Sequence, residues 1–381
     1  MWNEVLEISA IAYGGDGVGR LNDGRVCFVP GVVPGEKAEV RIVAEKSRFL
    51  RGKAEKIIQG SALRQTPPCP LAGSCPGCAY MHMDYACEVE WKNRQLQDFL
   101  VRSRLASPEL FAEPFASPSE LFYRNKLVLH GDGNCCGYIA EDNRSIIPVS
   151  KCFLAAPEIN EILKNTSSAR TLYRKSSMQK HAVIIDPDDP GILRENLSGA
   201  GEFAVAGDGF FQTNMPVAAE LLREVRRAVK ASGCRNLLEL YCGVGVFSIA
   251  LAEADENLHC TGIELNGKAI SFARKNAAEH QVAGRCRFYA GDAGKALKRY
   301  QDHPEFTVLA DPPRSGMEKA ALQKLIRVNA QEIIYISCAA DTLVRDLKTL
   351  CAAGYAVKYV RMLDMFPRTA HFEVLCVVQK Q

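Results

Sequence analysis

The sequence predicts an α/β protein: a Rossmann-like, mostly parallel sheet in its C-terminal half, preceded by a small β-barrel and a cysteine-bearing α+β module. Three observations carry that expectation. From about residue 206 short apolar runs alternate with amphipathic segments, the first 60 residues hold short strands broken by Gly and Pro, and three closely spaced cysteines lie between the two regions. A chain of 381 residues suits two to three domains of roughly 100–200 residues each. They are placed at 1–60, 61–205 and 206–381.

Composition narrows the class. With 47% hydrophobic and 24% charged residues, the chain is ordinary globular material. Forty-seven Lys and Arg against 44 Asp and Glu leave a net charge of +3, so any surface that attracts an anionic partner must be local. The longest apolar run, 240–252, is too short and too glycine-containing to span a bilayer. Met1-Trp2-Asn3-Glu4 lacks the basic-then-apolar layout of a secretion signal. A cytoplasmic protein without membrane attachment is therefore expected, and a monomer. Fifteen cysteines in such a chain point to metal ligands and catalytic thiols rather than to a disulfide framework.

In the first zone, strands are expected at 5–8, 26–29 and 38–43, with turns at Gly14-Gly15-Asp16-Gly17 and Pro34-Gly35-Glu36. Strands this short at regular spacing suit a small antiparallel barrel. Between 41 and 56 six Lys and Arg stand against two Glu, with Phe49 among them. That is either a groove for an RNA backbone or a solvated edge strand defended by its charges. A Pro- and Cys-rich connector, 67–78, leads into a helix at 85–105, and strands follow at 126–130, 136–139 and 182–185.

The alternating zone gives strands at 237–241, 258–264, 285–290, 306–310 and 332–337, then two more at 355–363 and 371–379. Helices are expected at 244–252, 267–279, 294–300, 317–328 and 341–350. Such alternation means parallel strands joined by right-handed crossovers, and the short turn at Pro367-Arg368 makes the last two an antiparallel hairpin at the edge.

The first βα turn reads Tyr241-Cys242-Gly243-Val244-Gly245-Val246-Phe247, and Glu264 follows 21 residues beyond Gly243 at the end of the next strand. An acid there accepts hydrogen bonds from ribose hydroxyls. A dinucleotide site asks for a third glycine to seat a pyrophosphate on the helix N-terminus, and Phe247 stands beyond Gly245 instead. S-adenosylmethionine is thus favoured over a nicotinamide nucleotide. Gly291-Asp292, ending the third strand, would reach the adenine.

Strand four ends in Asp311-Pro312-Pro313-Arg314 and strand five in Ser337-Cys338. In a methyltransferase sheet of order 3-2-1-4-5-7-6 these ends share one edge with the start of strand seven, His371-Phe372-Glu373, so Cys338, Asp311 and Glu373 surround the cofactor mouth. A thiol, a carboxylate and a methyl donor suit methylation at carbon 5 of a pyrimidine: Cys338 adds to carbon 6 and Glu373 removes the carbon 5 proton. The helix following Cys338 is expected to stabilise its thiolate. His371 reads as structural, and Cys234, Cys260, Cys286, Cys351 and Cys376 as small buried hydrophobes.

The spacing Cys69-x5-Cys75-x2-Cys78 offers only one of the two Cys-x2-Cys pairs that a structural zinc prefers. A 4Fe–4S cluster accepts irregular spacing and a distant fourth ligand, for which Cys152 is the best candidate. Zinc remains the alternative.

Taken together these residues resemble the RNA 5-methyluridine methyltransferases, and in particular their 23S ribosomal RNA branch, over essentially the whole chain. The segments Gly14–Arg20 and Phe28-Val29-Pro30-Gly31 are similar to a TRAM domain, an OB-like RNA-binding barrel. The resemblance implies a 4Fe–4S cluster on Cys69, Cys75, Cys78 and Cys152. Through Phe210-Phe211-Gln212-Thr213-Asn214 it implies that Gln212, with Tyr241, Glu264 and Asp311, contacts adenosylmethionine. It implies Cys338 as nucleophile and Glu373 as base. The chain departs from the family pattern at Ala339-Ala340, where Asn-Pro or Asp-Pro is common, and at Val246, where Asn is frequent. The implied partner is structured RNA, 23S rRNA ahead of tRNA; a non-catalytic RNA-binding assembly factor on the same fold is the alternative of a different class.

Overall fold

The computed structural model describes residues 2–163 and 170–381. Five strands, β1 (Asn3–Ile11), β2 (Gly17–Arg20), β3 (Val26–Val29), β4 (Lys37–Glu45) and β5 (Phe49–Gln59), close into a barrel of order β1-β2-β3-β5-β4. Every second side chain points inward, so Leu6, Ile8, Val29, Val40, Ile42 and Leu50 fill it and closure leaves no free edge. A Cβ on Gly52 would come within 2.2 Å of Val40, so this strand crosses the narrow interior only as glycine. The barrel is not wholly antiparallel, because β3 and β5 run parallel. Its basic stretch is partly neutralised: Arg41 pairs with Glu55 at 2.7 Å and Arg51 with Asp16 at 3.5 Å.

Helix α1 (Tyr85–Arg102) starts at Asp84, whose carboxylate accepts the Cys87 N–H. It ends at Arg102, three residues before the expected 105, with Ser103 as its C-cap and Arg104 at φ +57°. Then β6 (Lys126–Gly131), β7 (Cys136–Ile139), β8 (Ile146–Pro148), helix α2 (Pro157–Glu161), β9 (Thr171–Arg174) and β10 (Val183–Ile185) build a sheet of order β10-β9-β6-β7-β8. A hairpin of β11 (Ile192–Leu197) and β12 (Gly201–Ala206) leads into α3 (Met215–Ser232), which the sequence reading left unassigned.

The remaining chain forms a seven-stranded sheet. Its strands are β13 (Asn236–Leu240), β14 (His259–Glu264), β15 (Cys286–Ala290), β16 (Phe306–Ala310), β17 (Glu332–Ser337), β18 (Tyr355–Leu363) and β19 (Glu373–Lys380). Between them lie α4 (Val246–Ala254), α5 (Gly267–Glu279), α6 (Ala293–Ala296), α7 (Lys319–Val328) and α8 (Ala340–Ala352). The order β15-β14-β13-β16-β17-β19-β18 is the expected 3-2-1-4-5-7-6. The helix expected at 294–300 splits into α6 and a 3₁₀ turn, Leu297–Tyr300. The last strand starts at Glu373, two residues late, because the preceding loop is held elsewhere (below).

Two apolar layers cover the sheet. Val217 of α3, Ile249 of α4 and Ile270 of α5 pack on one face together with Phe203 and Val205 of the hairpin. Leu96 of α1, Leu325 of α7 and Leu347 of α8 pack on the other. Helix α1, early in the chain, is thus a cover of the C-terminal sheet. All fifteen cysteines are free; Cys260, Cys286 and Cys376 are buried as expected, whereas Cys234 and Cys351 are only partly so. No helix among the described residues is long and apolar enough to cross a membrane.

Candidate active site

The sheet's carboxyl edge carries a cleft of about 650 Å³, lined among others by Gln212, Tyr241, Gly243, Glu264, Asp311, Arg314, Cys338 and Glu373. The turn after β13 opens it: Tyr241, Gly243 and Gly245 all take positive φ, at +63°, +54° and +84°. A Cβ on Gly245 would lie 2.8 Å from the Phe288 ring, whereas one on Gly243 would meet nothing within 4 Å. The second glycine is therefore required by packing, and the first leaves room for a ligand. The Gly243 N–H donates to Glu264 Oε2 at 3.3 Å, and the Asn266 N–H donates to Oε1 at 2.8 Å. Each oxygen keeps capacity to accept from a ribose hydroxyl.

Asp292 is the exception among the expected cofactor residues. Its carboxylate caps α6 by accepting the Lys295 N–H at 2.8 Å, and it does not line the cleft. The cap uses one carboxylate oxygen, Oδ1. The cleft also offers apolar surface that was not assigned from the sequence. Leu265 and Phe210 are the most exposed large hydrophobic side chains, at 73% and 69%, and both line the cleft. Exposed apolar groups on a concave polar site suit a flat ring ligand; the position of Leu265 directly after the strand-end acid was the available signal.

Glu373 is buried and Asp311 and Cys338 are half-buried, and the three are coupled electrostatically. Burial raises the Asp311 carboxyl to about 7. Burial, then the neighbouring Asp311, raises Glu373 well above the usual carboxylate range, and its Oε2 has no hydrogen-bond partner. The Cys338 thiol is pushed up to about 12, by burial first and then by Glu373 and Asp311, against a smaller pull from Arg314. This corrects the expectation that helix α8 would hold a thiolate. The first N–H of α8, on Ala340, donates to the Tyr13 hydroxyl at 3.3 Å, and desolvation beside two carboxyls outweighs the dipole. Burial also lowers His371 to about 4, helped by the cations Arg314, Lys92 and Arg124. The imidazole is therefore neutral near pH 7, and its Nδ1 is unpartnered.

What fixes Glu373 is a buried charge network that joins the loop before β19 to α1. Lys92 donates to Glu88 at 2.7 Å and to Asp364 at 2.8 Å, and Tyr85 OH donates to Asp364 at 2.9 Å. Arg368, at φ +67° and 1% exposed, donates to Met83 O at 2.7 Å and to Glu88 at 3.3 Å. Buried charges persist when each is paired in this way. The loop thus follows α1 rather than continuing as strand, which is why β19 begins late.

A second cavity, of about 50 Å³, lies on the cysteine-bearing module and is lined by Cys69, Cys75, Cys78 and Cys152 together with Arg124 and Lys151. The Tyr138 hydroxyl lies 3.4 Å from Cys152 Sγ. Among the described residues no group of three or more His, Cys, Asp or Glu stands close enough to hold a metal ion.

A sheet of this order, with a nucleoside-sized cleft at its carboxyl edge and a closed five-stranded barrel in front, defines a Rossmann-like methyltransferase that handles RNA. More narrowly, the chain belongs to the tRNA (uracil-5-)-methyltransferase family, which residues 178–381 match, while residues 4–54 match the TRAM domain. It is an adenosylmethionine-dependent RNA (uracil-5-)-methyltransferase by that membership. It is similar to an uncharacterized RNA methyltransferase of Thermosynechococcus vestitus, 27% identical over 98% of this chain and 97% of the relative. A Pseudomonas aeruginosa protein named 23S rRNA (uracil(1939)-C(5))-methyltransferase RlmD is 26% identical over 98% of this chain and 93% of its own length. Among solved structures, the Pyrococcus abyssi tRNA (uracil-54, C5)-methyltransferase in complex with S-adenosyl-L-homocysteine shares the fold, with a TM-score of 0.74 and 24% identity over 98% of this chain and 99% of that one.

Proposed function

We propose that the chain methylates carbon 5 of a uridine in 23S rRNA through a covalent adduct on Cys338. The observation that carries this is the common cleft: Cys338, Asp311 and Glu373 line the same cavity as Gln212, Tyr241, Gly243 and Glu264. The Cys338 sulfur adds to carbon 6 while its proton leaves to an ionised carboxylate of the pair or to solvent. Carbon 5, now enolate-like, attacks the sulfonium methyl, forming the C–CH₃ bond and releasing S-adenosylhomocysteine. Glu373 takes the carbon 5 proton, the C5–C6 double bond re-forms, and the thiolate departs and regains a proton. A high thiol pKa suits this order, since the nucleophile stays protonated until a flipped base fills the cleft.

We assign the barrel, residues 1–60, to holding the RNA, residues 61–205 to the cysteine-bearing module, and 206–381 to methyl transfer. Ribosomal RNA is favoured by the likeness to the Pseudomonas protein. Mapping 5-methyluridine by mass spectrometry in rRNA and tRNA, with and without this chain, tests the substrate. Loss confined to one 23S position supports the reading; loss confined to tRNA overturns it.

Cys69, Cys75, Cys78 and Cys152 are proposed to hold a 4Fe–4S cluster. They converge on one cavity beside two cations, which suits an anionic group. Irregular spacing in the chain suits a cluster, whose thiolates bind separate irons, better than a structural zinc, which prefers two Cys-x2-Cys pairs. Its role would be structural, because four protein thiolates leave no iron open. Anaerobically purified protein should be brown with about four irons per chain; colourless protein carrying one zinc contradicts the assignment.

A further inference from the structure

The wall of the cleft that carries Gln212 is held from outside the domain it serves. Beyond the end of β12 at Ala206 the chain continues through 207–213 outside any strand, and carbonyls of 206–213 are taken up by side chains of β6, of β9 and of the residue before β6. Asn125 donates from Nδ2 to Gln212 O at 3.0 Å and from its backbone N–H to Thr213 O at 3.3 Å. Lys126 donates to Asp208 O at 3.4 Å and Gly209 O at 3.2 Å. Arg174, 1% exposed, donates to Ala206 O, Gly207 O and Gly209 O at 3.3, 3.0 and 2.8 Å, and its other nitrogen reaches Glu195 at 3.2 Å. Val205, Ala206, Asp208, Gly209, Phe210 and Gln212 all line the cleft, so these donors set the position of one whole side of it.

The strip of chain at 122–126, which includes Asn125 and Lys126, also lies beside the cysteine cavity, which Arg124 lines. Phe122 N–H donates to Phe153 O and Arg124 N–H to Leu154 O, and the Ala156 N–H donates back to Arg124 O, at 2.8–2.9 Å. Residues 122–126 therefore stand between the loop after Cys152 and the wall bearing Gln212. Buried donors and acceptors in such a place must all be matched, so removing one donor frees a carbonyl at the cleft wall.

We propose that Asn125, supported by Lys126 and Arg174, is a positioning residue for adenosylmethionine binding. It does not line the cleft itself; it acts by fixing Gln212. The inference rests on the reading of the cleft as the adenosylmethionine site. The test is titration calorimetry of S-adenosylhomocysteine against the full chain, alongside RNA affinity and melting temperature. Asn125→Ala should weaken S-adenosylhomocysteine about three- to tenfold, the range of one hydrogen bond, and leave RNA affinity unchanged. Asn125→Asp, which keeps the shape but loses the donor, should lose as much. Should the Asn125 variants fail to fold, the part-exposed Lys126→Met should still show a two- to threefold loss. Wild-type binding with unchanged affinity in every folded variant overturns the inference alone. A wild-type chain that does not bind S-adenosylhomocysteine overturns the cleft reading and this inference with it. A purely structural Asn125 would instead lower RNA and cofactor affinity together.

Discussion

Two of the thiol-lined cavities have opposite character. Cys338 lies among carboxyls, Asp311 and Glu373, at the end of a strand in a regular sheet. Cys69, Cys75, Cys78 and Cys152 lie beside Arg124 and Lys151, on loops of a module whose strands run three to six residues. The difference teaches what each sulfur is suited to. A lone thiol beside acids is held neutral and can be released from carbon once its work is done. Four thiols beside cations suit a permanent anionic occupant.

The comparison breaks most sharply at its two best-placed residues. Cys338→Ala should cut methyl transfer by roughly 10⁴-fold or more while S-adenosylhomocysteine affinity stays within about twofold; steady-state kinetics and calorimetry on the same sample check both. Glu373→Gln should cost about 10²–10⁴-fold with a different signature. Methyl transfer to RNA proceeds once, and protein–RNA adduct accumulates on a denaturing gel because the carbon 5 proton is not removed. A variant that loses turnover without trapping adduct shows that the acid works before methyl transfer.

In the other cavity, Cys152→Ser should empty the cluster site: iron content and visible absorbance fall and the melting temperature drops. Cys338→Ala should leave all three unchanged. The reverse pattern, iron lost with Cys338, would erase the distinction between the two cavities.

The smallest effect sharpens the electrostatic half of the contrast. With its thiol pushed up to about 12, free Cys338 should react with iodoacetamide slowly at pH 7, about tenfold faster for each added pH unit. Asp311→Asn removes a like charge, so the folded thiol ionises more easily and the whole profile moves to lower pH. A profile that stays put, or moves up, shows that Asp311 does not raise the thiol.

Much of the catalytic cavity was legible in the sequence because it is a consequence of topology. Alternating strands and helices imply a parallel sheet; its order then forces the ends of β13, β16 and β17 and the start of β19 onto one edge, and with them Tyr241, Asp311, Cys338 and Glu373. The cysteine positions were legible as a composition anomaly. What escaped depends on partners far away in the chain. Lys92 and Asp364, 272 residues apart, lock the loop before β19, and no local pattern announces that pair. Asp292 also caps α6, a second duty that an Asp just before a helix commonly takes. Helix α3 was missed despite Pro216 in its first turn and Gly233 at its C-cap, the punctuation that normally marks a helix. Strand β8, at three residues, is too short for any periodicity to register, whereas β10 falls within the expected 182–185.

One sulfur, at residue 338, is proposed to bond the pyrimidine. Incubating the protein with adenosylmethionine and a 23S rRNA fragment carrying 5-fluorouridine at the target blocks the final proton removal, because fluorine replaces the carbon 5 hydrogen. Peptide mass spectrometry should then find the methylated nucleotide bound to the Cys338 peptide and to no other cysteine. An adduct on a different residue, or efficient methylation of normal RNA by an enzyme that never traps the fluorinated one, contradicts it.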